Sequence, residues 1–518
     1  MKPDHQDTHK PLSIFFLVIF LIPILLAGCY MPQALPVSLP RSKQRQTEVA
    51  GILNPTELKT PQTTLTPTPD LPIPKPEITP LSTLAGDYNY LTQQGDTLPA
   101  LAKRFDVPLE AIQASGDLHP LGLLPIGLPL KIPSDLSDVL RFSSPILPDS
   151  EVTYGPTVNG FDAQAYAESA GGYLAAHTEK VHDQVMTGPE IVQAVAIESS
   201  TNPRLLLAFL EYRSGWVLGD PPGAKKDLFP IGYGAADSGL YNELIITAKL
   251  LAQGFYGWRD GSHTTLTFVG GKQARLSPQL NAGSTALMHL FAALYDQTAW
   301  ESALFGTDSF LLFYQDMFGD PWLRAAEGEP YLLSTTQEPT LTLPFDIGEE
   351  WRLTGGPHIT WQTGTPWGAL DFAPISGEDH CVVSTYWVTA SAPGLVVRSH
   401  RNVVAIDLDG DGDEGTGWVL IYMHIADADR VEFGTWLERD DPLGHPSCEG
   451  GTASGTHVHF ARKFNGEWLS VEDPLPLVLS GWRAYAGESR YVGTLQKGER
   501  IVTSRPNELY DSVIIRDE

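Results

Sequence analysis

The segment GTHVHF places two histidines, His457 and His459, on either side of a single valine. On a strand successive side chains point to opposite faces, so residues at i and i+2 look into the same cavity. Read this way, the pair commits the end of the chain to a sheet with a polar cavity on one face. Three more residues of the same chemistry precede it: GGPH ends at His358, ALDF carries Asp371, and YMH ends at His424. Three nitrogen or oxygen ligands with spare histidines beside them are what a catalytic zinc site requires, namely three protein ligands, an open position for water and bases for its protons. Taken singly, each histidine reads equally well as a packed core residue, because an HxH pair can be structural and YMH can end a core strand. Together and in this order they read as a site.

The order also carries a resemblance. The stretch from about Leu341 to Trp482 resembles zinc metallopeptidases of the lysostaphin/β-lytic (LytM-like) type, whose members cut peptide bonds of bacterial cell walls. The commoner first motif of that family is H-x-x-x-D. Here the window reads WGALD, with Trp367 where histidine would stand. The β-lytic branch instead takes its first ligand from a GGxH motif about a dozen residues earlier, and TGGPH followed by TWQTGTPWGALDF fits it. CEGGTASGTHVHF is similar to the same branch, cysteine included. The resemblance implies zinc ligands His358, Asp371 and His459, with His424 and His457 beside the metal. In the mechanism this implies, His457 acts as general base and His424 stabilises the oxyanion or protonates the leaving amine, with those two roles open to exchange. His400 and His445 read as surface or structural residues, and His380 is unassigned.

At 518 residues the chain is too long for one core and divides into several domains. Its formal net charge of −28 excludes nucleic acid as a partner, since that needs basic patches. Lys2 and Lys10 precede the apolar run LSIFFLVIFLIPILLAG, which ends in LAGC at Cys29. Basic residues, an apolar core and small residues before the cut make residues 1–29 a secretory signal. LAGC resembles the lipobox of bacterial lipoproteins, which implies lipidation of Cys29 and attachment to the cell envelope; an uncleaved anchor helix is the alternative. Either reading puts the remaining cysteines, Cys381 and Cys448, in an oxidising compartment where a disulfide between them is expected.

Residues 30–87 are rich in proline and threonine, have no hydrophobic period and read as an extended tether. Residues 88–133 read as strand, turn at Gly95-Asp96, helix capped by Asp96 or Thr97, second helix and strand. This β-α-α-β pattern resembles a LysM module, which implies binding of peptidoglycan glycan. It departs from the family at Ala114-Ser115-Gly116, where asparagine is frequent. A linker over 134–159 leads to a mostly helical region, 160–340, with a turn at Ser200-Thr201-Asn202-Pro203. NPRLLLAFLEYRSGW faintly resembles the catalytic helix of lysozyme-like enzymes. Arg213 stands where glutamate would, however, and Glu211 lies about 200° round the helix. A degenerate lysozyme-like domain and an unrelated helical domain both fit this region.

The metallopeptidase-like domain spans 341–482 and a tail follows, 483–518. Inside it, Val403–Leu408 and Trp418–Met423 alternate as paired strands around an acidic loop. Asp407, Asp409, Asp411 and Asp413 recur at every second position, which fits a loose calcium site or a solvated hairpin equally; Trp418 at the twelfth position rules out an EF-hand. The expected fold class is therefore multidomain α+β, with a small β-α-α-β module, a mostly α-helical middle domain and an antiparallel all-β domain. The expected function is a wall-associated zinc endopeptidase acting on peptidoglycan. A non-catalytic lipoprotein that regulates other wall hydrolases is the alternative, and it is disfavoured by the complete ligand set.

Overall fold

The computed structural model describes residues 86–517 apart from 115, 117, 183, 220–227, 235–237, 376–380 and 505–510. Cys29, the signal segment, nearly all of the tether and His380 lie outside the described residues. No helix among the described residues is long and apolar enough to cross a membrane.

The first module pairs β1 (Gly86–Leu91) with β3 (Pro129–Ser134), and β3 with the short β2 (Gln113–Ala114). Helix α1 (Leu98–Phe105) starts at Thr97, whose side chain accepts from the Ala100 amide, so threonine and not Asp96 is the cap. Asp96 is buried and pairs with Arg104 at 2.7 Å. The expected second helix is a single 3₁₀ turn, Leu109–Ala111, with no buried residue to hold a longer one.

The helical domain is built around α2 (Gly188–Ser199), α3 (Pro203–Ser214), α4 (Leu240–Arg259) and α5 (Ala282–Ala292), with shorter helices beside them. Thr187 and Glu190 close a capping box on α2. Ser200 ends α2 in the left-handed conformation and Asn202 caps α3, so the turn read from the sequence is where it was placed. The segment expected as linker, 134–159, is not free: Leu140, Phe142, Ile146, Leu147 and Val152 are buried in the helical core. Their spacing follows neither helix nor strand, which is why it gave no periodic signal.

The last domain holds a nine-stranded sheet in the order β9 (Trp436–Leu437), β6 (Gly394–His400), β7 (Val403–Asp407), β8 (Trp418–Met423), β10 (Val458–Phe464), β5 (Trp367–Pro374), β4 (Glu350–Ile359), β14 (Val513–Ile515), with Glu467–Trp468 paired beside β10. The tail is part of this fold: β14 pairs with β4, while β11 (Trp482–Ala486), β12 (Gly493–Lys497) and β13 (Arg500–Ser504) form a second sheet with Val478–Leu479. The sheet is apolar on both faces, and strand alternation sorts them. Val404, Ile406, Leu420, Tyr422, Phe460 and Phe372 face the domain's own core. Val403, Ala405, Val419, Ile421, Ala461 and Ala369 join the core of the helical domain.

Arg259, at the end of α4, ties the three parts together. Its Nη2 lies 2.6 Å from Glu467 and 3.0 Å from Asp149, and its Nη1 donates to the Gln94 carbonyl at 2.5 Å. Burial alone would lower the guanidinium pKa; Glu467 and Asp149 outweigh it and hold the charge. Breaking a buried pair leaves its partners uncompensated. Arg259→Met is therefore expected to lower the unfolding free energy by about 3–5 kcal/mol in denaturant titration; a loss below about 1 kcal/mol would show the cluster to be dispensable. Beside it, burial and then the Asp149 charge raise the Glu329 carboxyl from 4.5 to about 7. The folded state thus binds a proton that the unfolded state releases, so stability falls as pH rises from about 4.5 to about 7. Glu329→Gln should flatten that slope in melting profiles taken across the same window.

Candidate metal centre

Three adjacent strands each supply one donor. His459 on β10 stands directly opposite Asp371 on β5, and on the other side of β5 an irregular stretch of β4 brings in His358. His358 enters from the neighbouring strand next to Ile359, which pairs with Trp367, the tryptophan of the H-x-x-x-D window. The Nε2 of His358 lies 3.1 Å from the Nδ1 of His459 and 3.4 Å from the Oδ1 of Asp371, and the last two are 3.3 Å apart. A tetrahedral ion with bonds of about 2.0–2.1 Å has ligand-to-ligand edges of about 3.3–3.4 Å.

The protons are accounted for elsewhere. His358 donates from Nδ1 to the Gly356 carbonyl at 2.9 Å, and His459 donates from Nε2 to the Thr360 carbonyl at 2.9 Å. In the neutral rings these bonds leave lone pairs on the two nitrogens that face each other. Asp371 Oδ1 is buried and accepts no hydrogen bond. Three buried acceptors converge with no proton between them, which is unfavourable unless a cation sits there. Burial pushes the Asp371 carboxyl up, but His358 and then His459 and His457 more than reverse this and hold it below the usual carboxylate range. Burial lowers His358 to about 4 against the opposing pull of Asp371. The donor set of two neutral imidazoles and one carboxylate fits zinc.

Both glycines of GGPH have a steric reason. A β-carbon at Gly355 would lie 2.2 Å from Asp371 Oδ2, and one at Gly356 would lie 2.7 Å from the Gly493 amide nitrogen. His424 and His457 flank the triad with ring centres 4.4 Å apart. Their Nδ1 atoms donate to the carbonyls of Glu449 (2.8 Å) and Gly455 (2.7 Å), leaving each Nε2 as the acceptor. His457 Nε2 is 3.8 Å from Asp371 Oδ1. Burial, with His457 next, lowers His424 to about 4, and its φ of 64° is one that a residue with a β-carbon adopts only at a cost of about 1–2 kcal/mol.

The sequence reading missed Tyr491. Its ring stacks on His358 at 4.3 Å, its amide donates to the Pro357 carbonyl at 3.2 Å, and it comes from the tail. No spacing signal links it to a histidine so far away; only its positive φ of 67° marks it as unusual. His445 packs against Trp387 at 3.9 Å and His400 ends β6 exposed, so neither joins the triad. The disulfide forms between Cys381 and Cys448, with Cα atoms 5.0 Å apart. It ties the loop before β10 to the loop after β5. In the acidic loop, Asp407, Asp409 and Asp411 can bring oxygens together, while Asp413 is outside that group. Each of the four carboxylates accepts from the amide two residues on, which accounts for the spacing without an ion.

In the helical domain Glu211 accepts from the Val217 and Leu218 amides, and Arg213 donates to the Ile231 carbonyl and the Tyr295 hydroxyl. Both are committed to holding loops, and Glu211 does not stand as a free acid.

Residues 145–332 match the family model described as LasA, N-terminal domain. The match begins in the segment read as linker, consistent with its burial. Over 373 residues, 67% of this chain and 81% of the relative, the chain is 25% identical to protease LasA of Pseudomonas aeruginosa strain UCBPP-PA14. It is 28% identical over 153 residues to the β-lytic metalloendopeptidase of Lysobacter enzymogenes, covering 29% of this chain and 82% of that one. Among solved structures, the M23 metalloprotease pseudoalterin aligns with 33% of this chain and 98% of its own at 24% identity and a TM-score of 0.28. The homologues support a LytM-like metallopeptidase.

The geometry gives one direct expectation. Gly355→Ala should displace Asp371 and weaken zinc binding by about 10–100-fold, read by chelator competition on the full chain; unchanged affinity would mean that Asp371 does not hold the ion.

Proposed function

We propose that this chain is a zinc metalloendopeptidase that hydrolyses peptide bonds of bacterial peptidoglycan. The observation that carries the reading is the convergence of three unprotonated donor atoms of His358, Asp371 and His459 beside two histidines whose Nε2 atoms are open. When bound, zinc would supply Lewis-acid polarisation of the scissile carbonyl and a water acidified toward neutrality. The chain supplies the rest. His457 Nε2, near the triad, is placed to take the proton from the attacking water. His424 Nε2, an acceptor while the ring is neutral, would first take up a proton and then hold it against the oxyanion or pass it to the leaving amine, and the two roles exchange if substrate enters from the other side. The hydrogen bonds from each Nδ1 to a backbone carbonyl fix both rings, so little reorganisation accompanies proton transfer.

The wall as substrate rests on the LytM-like resemblance and on the relatives named β-lytic metalloendopeptidase. The lipobox at Cys29, the proline- and threonine-rich tether and the LysM-like module add the setting: an extracytoplasmic enzyme held by lipid and placed on glycan. The homologues do not bear on calcium, and the acidic loop is read as a solvated hairpin.

Dye release from labelled peptidoglycan by the purified full chain, with zinc content measured in parallel, tests this. His424→Ala and His457→Ala are each expected to keep about one zinc per chain while activity falls by about 10²–10⁴-fold. Loss of zinc in both would make these residues ligands rather than proton carriers, and full activity in either would remove it from the mechanism.

A further inference from the structure

The metal triad stands on the sheet face that meets the helical domain, since His459 alternates with Phe460 and shares its side with Ala461. Along that boundary α4 touches the last domain at points one or more turns apart. The Arg401 guanidinium lies 5.9 Å from the ring centre of Tyr241, and both side chains bond Glu198 of α2. The Tyr256 hydroxyl accepts from the Trp468 amide at 3.0 Å, and Arg259 pairs with Glu467. Between these points lies the loop that follows β4. A β-carbon at Gly364, whose φ is 103°, would lie 2.8 Å from Gln253 Cγ, 2.8 Å from the Gln253 amide nitrogen and 2.9 Å from the Lys249 carbonyl oxygen. The loop therefore rests on the backbone of α4 with no room for a side chain between them.

The same loop carries the Thr360 carbonyl, which accepts the hydrogen bond from His459 Nε2 and so fixes which nitrogen faces the triad. The loop is closed on itself. Thr360 donates its amide to the Pro366 carbonyl at 3.1 Å, and Thr365 donates both its amide (3.0 Å) and its hydroxyl (2.8 Å) to the Gln362 carbonyl. Gln362 and Thr365 are buried, so this turn is held by packing and is not a solvated loop.

We infer that α4 of the helical domain is the outer support of the metal site: through Gly364 it sets the Thr360–Thr365 loop, and through the Thr360 carbonyl that loop orients the His459 ligand. Gly364 and Thr365 are positioning residues, because they act on the triad only through the loop that carries the Thr360 carbonyl. The inference rests on the zinc-site reading and deepens it by making the helical domain a working part of the centre.

The test is the zinc dissociation constant of the full chain, measured by chelator competition beside its thermal midpoint. Outer-shell partners of metal ligands are worth about 10–100-fold in metal affinity. Gly364→Ala, which drives a methyl into α4, is expected to weaken zinc by at least about tenfold. Thr365→Ala, which only removes a hydroxyl and introduces no clash, should weaken it severalfold and decides the matter if the glycine variant does not fold. Gly348→Ala is the control: its φ is 87° and nothing lies within 4 Å of its β-carbon, so it should lower the thermal midpoint and leave zinc affinity alone. Zinc affinity in Thr365→Ala and in any folded Gly364→Ala equal to that of the unaltered chain overturns the inference. Failure of the unaltered chain to take up zinc is a separate result and overturns the metal site itself.

Discussion

The antiparallel register that sets His459 against Asp371 is the constraint on which the centre depends. One residue of slip between β10 and β5 would send His459 to the opposite face, into the apolar layer of Phe372, Phe460 and Tyr422. Apolar residues on both faces resist that slip, because it would exchange two packed layers at once. The site is thus held by the alternation of a buried sheet as much as by its own polar contacts. His358 is the exception: it depends on irregular pairing of β4, and the two glycines before it let the strand pass close to Asp371 and to Gly493.

That division explains what the sequence made legible. Period-two spacing exposed the HVH pair, since local spacing is what a strand translates directly into geometry, whereas His358 and Asp371 were reached only through the resemblance of GGPH and ALDF to the β-lytic pattern. The disulfide partners followed from there being two cysteines beyond the lipobox. Residues joined only by tertiary packing were not legible. Tyr491 reaches His358 through a tail that pairs with β4 after more than a hundred residues, and no pattern in the tail names its partner. The apolar residues of 134–159 follow no period, so a segment that belongs to the helical core read as a linker. The predicted second helix of the first module failed for the opposite reason. Its sequence looks helical, but Leu109–Ala111 buries nothing, and a helix without a buried face gains little from tertiary packing.

The acidic loop shows how a regular spacing can mislead. Carboxylates at every second position suit a cation, yet the same spacing suits successive turns in which each side chain accepts the amide two residues on. Burial and the neighbouring carboxylates raise Asp407 to about 6, which marks crowding of like charge rather than stabilisation of it. In the triad the facing oxygen of Asp371 is buried and lacks a donor, and the ring nitrogens opposite it offer lone pairs rather than protons. A crowded set of carboxylates satisfied by its own backbone differs from a converging set of lone pairs that nothing satisfies, and only the second calls for an ion.

The central claim is that His358, Asp371 and His459 hold one zinc ion with nitrogen and oxygen donors. X-ray absorption at the zinc edge of the purified full chain tests this most directly. The account predicts a first shell of about four nitrogen and oxygen scatterers near 2.0–2.1 Å, with imidazole outer-shell features that diminish in His358→Ala. A sulfur scatterer near 2.3 Å, or a shell unchanged by loss of His358, would contradict it.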